Sequence, residues 1–216
     1  MVRYGRPFIA RLKALMEVLK DQEGLIARVL GSMYLKRGDK NDGESMLRRA
    51  IKLCKTNEEW CQGVHQNLAQ SITNNNAPYA DPAAAKEALK LYQKGAALMP
   101  NDYETYYQIG RLLNLPAEQR GAKKGGKTDV IGGKSDKASA ALRTAASLQP
   151  TNAEALQMLA MRLVSAPRKK TRQAAKKIAT KAVRIDPASA MSYVALGYTL
   201  MGQETDETKL SDATRD

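Results

Sequence analysis

The sequence predicts an all-α fold, a solenoid of antiparallel helix pairs stacked one on the next. Three observations lead there. Over residues 137–163, Ala138, Leu142, Ala145 and Leu148 fall on one helical face, and Pro150 ends that helix. Nine residues after the proline, Leu159-Ala160 lies on the inner face of a second helix with Leu156 and Leu163. The same cassette recurs twice. Upstream, Ala88, Tyr92, Gly95 and Leu98 lead to Pro100 and then Ile109-Gly110 with Tyr106 and Leu113; downstream, Ala175, Ala179, Ala182 and Ile185 lead to Pro187 and then Leu196-Gly197 with Tyr193 and Leu200. Finally, small residues occupy the points where paired helices must approach closely, and larger apolar ones fill between layers.

The first copy, residues 24–57, carries Leu30-Gly31, Tyr34, Gly38, Leu47, Ala50 and Leu53, with Gly43 and Lys55 at positions usually held by alanine and proline. With the fixed offset after three prolines, this pattern resembles the tetratricopeptide repeat (TPR), in about four and a half copies over residues 24–202. The resemblance implies a right-handed superhelix whose inner groove is lined by the first helix of each repeat. It also implies a role in protein–protein interaction and not in catalysis.

The elements can be justified in order. Residues 3–20 read as an amphipathic helix with Phe8, Leu12, Leu15, Met16 and Leu19 on one face and Arg3, Arg6, Arg11 and Lys13 among the rest. A basic, acid-poor start suits an organelle presequence, and a solenoid also needs a terminal helix over its first repeat; residues 1–22 are taken as that cap. The repeat domain follows over 23–203. Within it, residues 58–73 have an ambiguous register, since the nine-residue rule selects Val64-His65 whereas side-chain size prefers Leu68-Ala69. The third repeat is split by an inserted segment, 114–136, with five glycines and five cations, expected to be a loop that cannot order itself by burial. Residues 188–202 supply a first helix alone, and 204–216 turn acidic and lose their period, as expected of a disordered tail.

Charge is uneven. Of the net +13, residues 116–187 hold 16 basic against 5 acidic side chains, and residues 1–57 hold 13 against 6. From Arg168 to Arg184 there are eight cations and no acid. Arg168, Lys169, Lys170, Arg172, Lys176, Lys177 and Lys181, with Lys123, Lys124 and Lys127 of the inserted segment, are the candidate anion or RNA contacts, to phosphate and not to base because no aromatics are interleaved. An acidic protein partner in a multi-subunit assembly and an RNA backbone, as in an organellar ribosome or RNA-processing particle, are both open.

Residues 121–128, GAKKGGKT, satisfy the spelling of a phosphate-binding P-loop, but no strand precedes and no helix follows, so a nucleotide is not expected there. Cys54, Cys61 and His65 are too few for a closed zinc site. Two cysteines are also too few for a disulfide framework and are read as packed thiols in a reducing compartment, cytoplasmic or organellar. No catalytic set, cofactor, metal or small-molecule substrate is expected, and no run of eighteen apolar residues suggests a membrane span.

The resemblance also implies where a partner would sit. Helical spacing along the first helices gives Arg28 and Lys36, then Tyr107 and Arg111, then Met161, then Val194, Tyr198 and Met201 as the groove wall; Leu25, Ser32, Glu104, Glu154, Gln157 and Met191 share it. The wall begins basic, becomes mixed and ends apolar, which suits a peptide or helix anchor; equally, Val194, Tyr198 and Met201 suit a surface that awaits a capping helix. The cationic set that some TPR proteins use to hold a C-terminal carboxylate would fall on Arg28, Ser32, Gly63 or Asn67, Glu104 and Gln108. Glu104 puts an acid where a cation is needed, so this use is not expected.

Overall fold

The computed structural model describes residues 6–55, 59–73, 81–116 and 136–213, the last eleven as backbone. Every regular element among them is helical. The chain divides into two compact units, one running to Pro100 and the other starting at Asn101.

The first unit holds α1 (Arg6–Val18), α2 (Glu23–Arg37), α3 (Lys40–Leu53), α4 (Val64–Thr73) and α5 (Pro82–Leu98). Each helix packs against its neighbours in the chain. The α2–α3 turn is made by Gly38, whose φ of 91° lies in the left-handed region open to glycine, and whose N–H donates to the Leu35 and Tyr34 carbonyls. The two helices then close tightly: a Cβ on Gly31 would lie 2.8 Å from Leu47 Cγ and 3.0 Å from the Gly43 carbonyl oxygen. Leu30, Leu47, Ala50, Val64 and Leu68 fill the centre with no exposure. Both pairs proposed for the fourth helix, Val64-His65 and Leu68-Ala69, are buried, because α4 is a short helix with its inward face occupied throughout.

α1 packs on α2, but by a different stripe from the one predicted. Ile9 and Met16 are buried, with Leu12 and Leu19 beside them, whereas Phe8 and Leu15 are about half exposed. The helix is rotated by roughly one residue, and Lys13 stands over the Tyr34 ring at 5.5 Å.

The cysteines correct a second expectation. Cys54 and Cys61 form a disulfide, with Cα atoms 5.5 Å apart. The residue after α3 and the 3₁₀ turn Glu59–Cys61 bring the two together. The reading of free thiols, and with it the cysteine argument for a reducing compartment, therefore falls.

His65 is buried, and its Nδ1 has no hydrogen-bond partner among the described residues. Burial, assisted by the Lys94 charge, holds its pKa below the ordinary 6.5. The unfolded chain then binds this proton more readily than the native one, so the contribution is fully present above pH 6.5 and is lost as pH falls through the native value. We expect urea midpoints to decline below pH 6.5 and His65→Gln to flatten that decline; an unaltered slope in the variant would assign the titration elsewhere.

The second unit holds α6 (Tyr103–Asn114), α7 (Lys137–Leu148), α8 (Glu154–Val164), α9 (Lys169–Ile185) and α10 (Ala190–Ala213). α6 pairs with α7 and α8 with α9, and α10 lies against α8 and α9. The proline corners repeat closely. Met99, Gln149 and Asp186, each just before Pro100, Pro150 or Pro187, take φ/ψ of −132/74°, −129/80° and −133/84°, and each donates its N–H to the carbonyl of the small residue four back, Gly95, Ala145 or Ala182. Aspartates open three helices: Asp81 accepts from the Ala83 N–H, Asp102 from Thr105 and Asp136 from Ser139. Leu142, Ala145, Ala160, Leu163, Ala175, Ala179 and Ala182 have no exposure.

Asp136 has a larger role than capping. It is buried, and it accepts from Arg162 of α8 at 2.8 to 3.2 Å through Nη2 and Nε. The same arginine donates to Asn114 Oδ1 at 2.9 Å. Both ends of the inserted segment are thus tied to one side chain. α10 departs from expectation in the other direction, remaining helical to Ala213, well past the point where the hydrophobic period is lost.

Candidate interaction surfaces

Three surfaces emerge, each confined to one unit. The first is the outer face of α9. Its inward stripe, Ala175, Ala179 and Ala182, is fully buried, which leaves the intervening residues outside. Lys170, Gln173, Lys176, Lys177, Lys181 and Arg184 line a shallow trough of about 730 Å³. These five cations form no ion pair among the described residues. Of the predicted set, Lys170, Lys176, Lys177 and Lys181 are therefore brought together, Arg168 and Lys169 stand exposed at the helix start, and Arg172 turns aside to donate to the Ala166 carbonyl at 2.6 Å. Lys123, Lys124 and Lys127, and the GAKKGGKT stretch, lie outside the described residues.

The second surface is a polar groove of about 720 Å³ between α2 and α4, lined by Ser32, Leu35, Lys36, Asn67, Gln70 and Ser71, with Gly38 and Lys40 at its mouth. Helical spacing places Ser32 and Lys36 there, and Asn67 is one of the two register alternatives for the carboxylate-holding set. Gln70 and Ser71 were not placed, because the register of α4 was open. Arg28, also expected in the wall, is half-buried and donates through Nη1 to the Trp60 carbonyl at 2.9 Å. It braces the 3₁₀ turn against α2 and lines a separate, smaller hollow with Trp60 and Met99.

The third surface belongs to the second unit. On α6, Tyr107 stacks on Tyr103 with centroids 5.7 Å apart, and Arg111 stands 5.9 Å from the Tyr107 ring. Arg111 also donates to Gln108, which donates to Glu104, so these polar residues satisfy one another along a single helix. Met161 is partly buried against Ala160, Ala179 and Ala195. Gln157 leaves the predicted wall altogether: it is buried and donates to Ser192 Oγ at 2.8 Å and Ser189 Oγ at 3.1 Å, joining α8 to α10. Val194, Tyr198 and Met201 are exposed by 42%, 52% and 64%, a continuous apolar stripe on α10.

No helix of the described residues is long and apolar enough to cross a membrane. The sequence matches no protein-family model and no curated protein. Solved structures do match by shape. A crystal structure of MamA superposes with a TM-score of 0.61 over 88% of this chain and 88% of that one, at 17% identity. MamA from Desulfovibrio magneticus RS-1, residues 41 to the end, gives 0.59 over 89% and 92%, also at 17%. YrrB, a TPR protein with an unusual peptide-binding site, gives 0.59 over 88% and 81% at 18%. This chain has the TPR fold of stacked antiparallel helix pairs.

Proposed function

We propose that this chain is a non-catalytic protein-interaction scaffold, a subunit that holds a peptide or helix along its first helices and meets an acidic neighbour through α9. The observation that carries the reading is the α9 trough, in which five cations face outward with no acid among the helix's own residues. Solvated helices ordinarily mix signs so that residues four apart pair; a run of one sign favours an anionic partner. The apolar stripe Val194, Tyr198 and Met201 and the amide-lined groove of α2 and α4 support a peptide ligand, as does the peptide-binding site of YrrB.

A second reading, a ribonucleoprotein subunit touching RNA phosphates, is favoured by the same trough, since ammonium and guanidinium groups along one helix suit a polyanion without base contacts. One titration serves both. A fluorescent single-stranded RNA and a Glu-rich peptide of equal length are bound to the full chain across about 50 to 200 mM salt. For a scaffold, the peptide binds at least as tightly as the RNA. For an RNA subunit, the RNA binds more tightly, and Lys176→Glu, Lys177→Glu and Lys181→Glu together reduce the slope of log K against log salt by about 2, at roughly 0.7 per phosphate released. Absence of both interactions would overturn the assignment of α9 as a binding face.

A further inference from the structure

α10 presents a second exposed face, distinct from the groove stripe, whose register gives it a meaning. In two first helices of the repeats, α2 and α8, the residues corresponding to Tyr193, Leu196, Gly197 and Leu200 are all buried where the second helix returns; in α6 the middle two are, while Tyr106 and Leu113 stay partly exposed. On α2 they are Ala27, Leu30, Gly31 and Tyr34, all buried, under α3; on α8 they are Leu156, Leu159, Ala160 and Leu163, all buried, under α9; on α6, Ile109 and Gly110 are buried under α7. The contact is socket-like. A Cβ on Gly110 would lie 2.6 Å from Leu142 Cγ and Cδ2, and one on Gly31 would meet Leu47.

Among the described residues, Gly197 has nothing within 4 Å of the same point. Tyr193 is 53% and Leu200 41% exposed, while Ser192, Ala195 and Thr199 on the far side of the helix have no exposure. Nor does α10 turn back to cover this face. It stays helical to Ala213, about 24 Å of helix beyond Gly197 at 1.5 Å per residue.

We infer that the Tyr193–Gly197–Leu200 face of α10 is a socket for a helix supplied by another protein, docked antiparallel to α10 as α3 docks on α2 and α7 on α6. The inference goes beyond the groove reading but shares its premise that the chain is a scaffold. Continuity with the interfaces already formed fixes the partner's chemistry. Those second helices present a small residue, then leucine four on, then alanine three on: Gly43, Leu47 and Ala50 in α3; Ala138, Leu142 and Ala145 in α7. The leucine enters over the glycine, and the small residues allow the backbones to close.

The test uses the full chain and a stapled helical peptide of sequence 137–149, bridged at positions 140 and 144. Saturable binding is expected, reduced at least tenfold in the peptide by Leu142→Asp. In the protein, Gly197→Leu should reduce it at least tenfold with Tm unchanged or raised, because no described residue lies within 4 Å of a Cβ there. Leu200→Glu should do the same. Tyr198→Ala, on the groove stripe, should leave it within twofold, so the socket and the groove fail separately. No binding of the peptide, or binding indifferent to Gly197→Leu, overturns the proposal. So does a fall in Tm in Gly197→Leu, which would mean that the chain itself covers the face. A concentration-dependent dimer in light scattering that Gly197→Leu abolishes would also overturn it, making the occupant a second copy.

Discussion

Asp136→Ala is expected to lower the unfolding free energy by about 3–5 kcal/mol, the largest effect of any single polar substitution in the second unit. The carboxylate is almost wholly buried, and it holds Arg162, whose side chain is 12% exposed, through two guanidinium nitrogens. Removing it leaves a cation in a poorly hydrated site with Asn114 as its remaining described partner. It also removes the cap on α7, in which Asp136 accepts from the Ser139 N–H at 3.1 Å and hydroxyl at 2.6 Å. Urea unfolding separates these terms. Asp136→Ser retains a capping oxygen and loses the ion pair, while Asp136→Ser with Arg162→Met removes both charges and should recover much of the loss. A double variant as unstable as Asp136→Ala would show that the pair is not what stabilises this corner.

Leu142→Ala is expected to cost about 2–5 kcal/mol. Leu142 has no exposure and fills the space above Gly110, where a Cβ would clash at 2.6 Å. The corresponding overpacking change, Gly110→Ala, should by itself cost about 1–3 kcal/mol. The two substitutions are complementary in volume. Combined, they should be less destabilising than their sum by about 0.5–3 kcal/mol, the coupling typical of side chains in direct contact. Strict additivity in denaturation would mean that α6 and α7 do not meet at these positions.

The helix pairing was legible because its determinants are local. Pro100, Pro150 and Pro187 stop helices by their own covalent geometry, and Gly110, Ala145 and Ala182 fall at spacings set by one helical turn. Asp136 could be read as a cap from its neighbours in sequence. Its bond to Arg162 could not, since the two are 26 residues apart and nothing in the period marks a polar pair inside the stack. The Cys54–Cys61 bond depends on a bend that spacing alone does not specify. Arg28 and Gln157 were assigned to the wall from helix phase, which gives direction but not the presence of the Trp60 carbonyl or of Ser192 within reach.

The α10 extension failed for a different reason. Hydrophobic period reports burial, not helicity, and residues 203–213 hold good helix formers such as Gln, Glu and Lys with no apolar face. A backbone can be helical there without any pattern to announce it. The α9 face was legible as charge, whereas the turn of Arg172 toward Ala166 was not.

The tie from Asn114 through Arg162 to Asp136 also bears on the order in which the second unit forms. Its other contacts join elements close in the chain, α7 with α8, α8 with α9, and α10 with both α8 and α9, so little chain entropy is lost before each contact is made. α6 alone must find α7 across the residues between Asn114 and Lys137, a closure whose entropic cost grows with the logarithm of the intervening length. On this ground α7 to α10 are expected to form first and α6 to join last, which low φ-values in α6 would bear out. A lesion in Asp136 that loosens this junction would accelerate unfolding more than it slows folding, exposing α6 while the downstream stack remains intact.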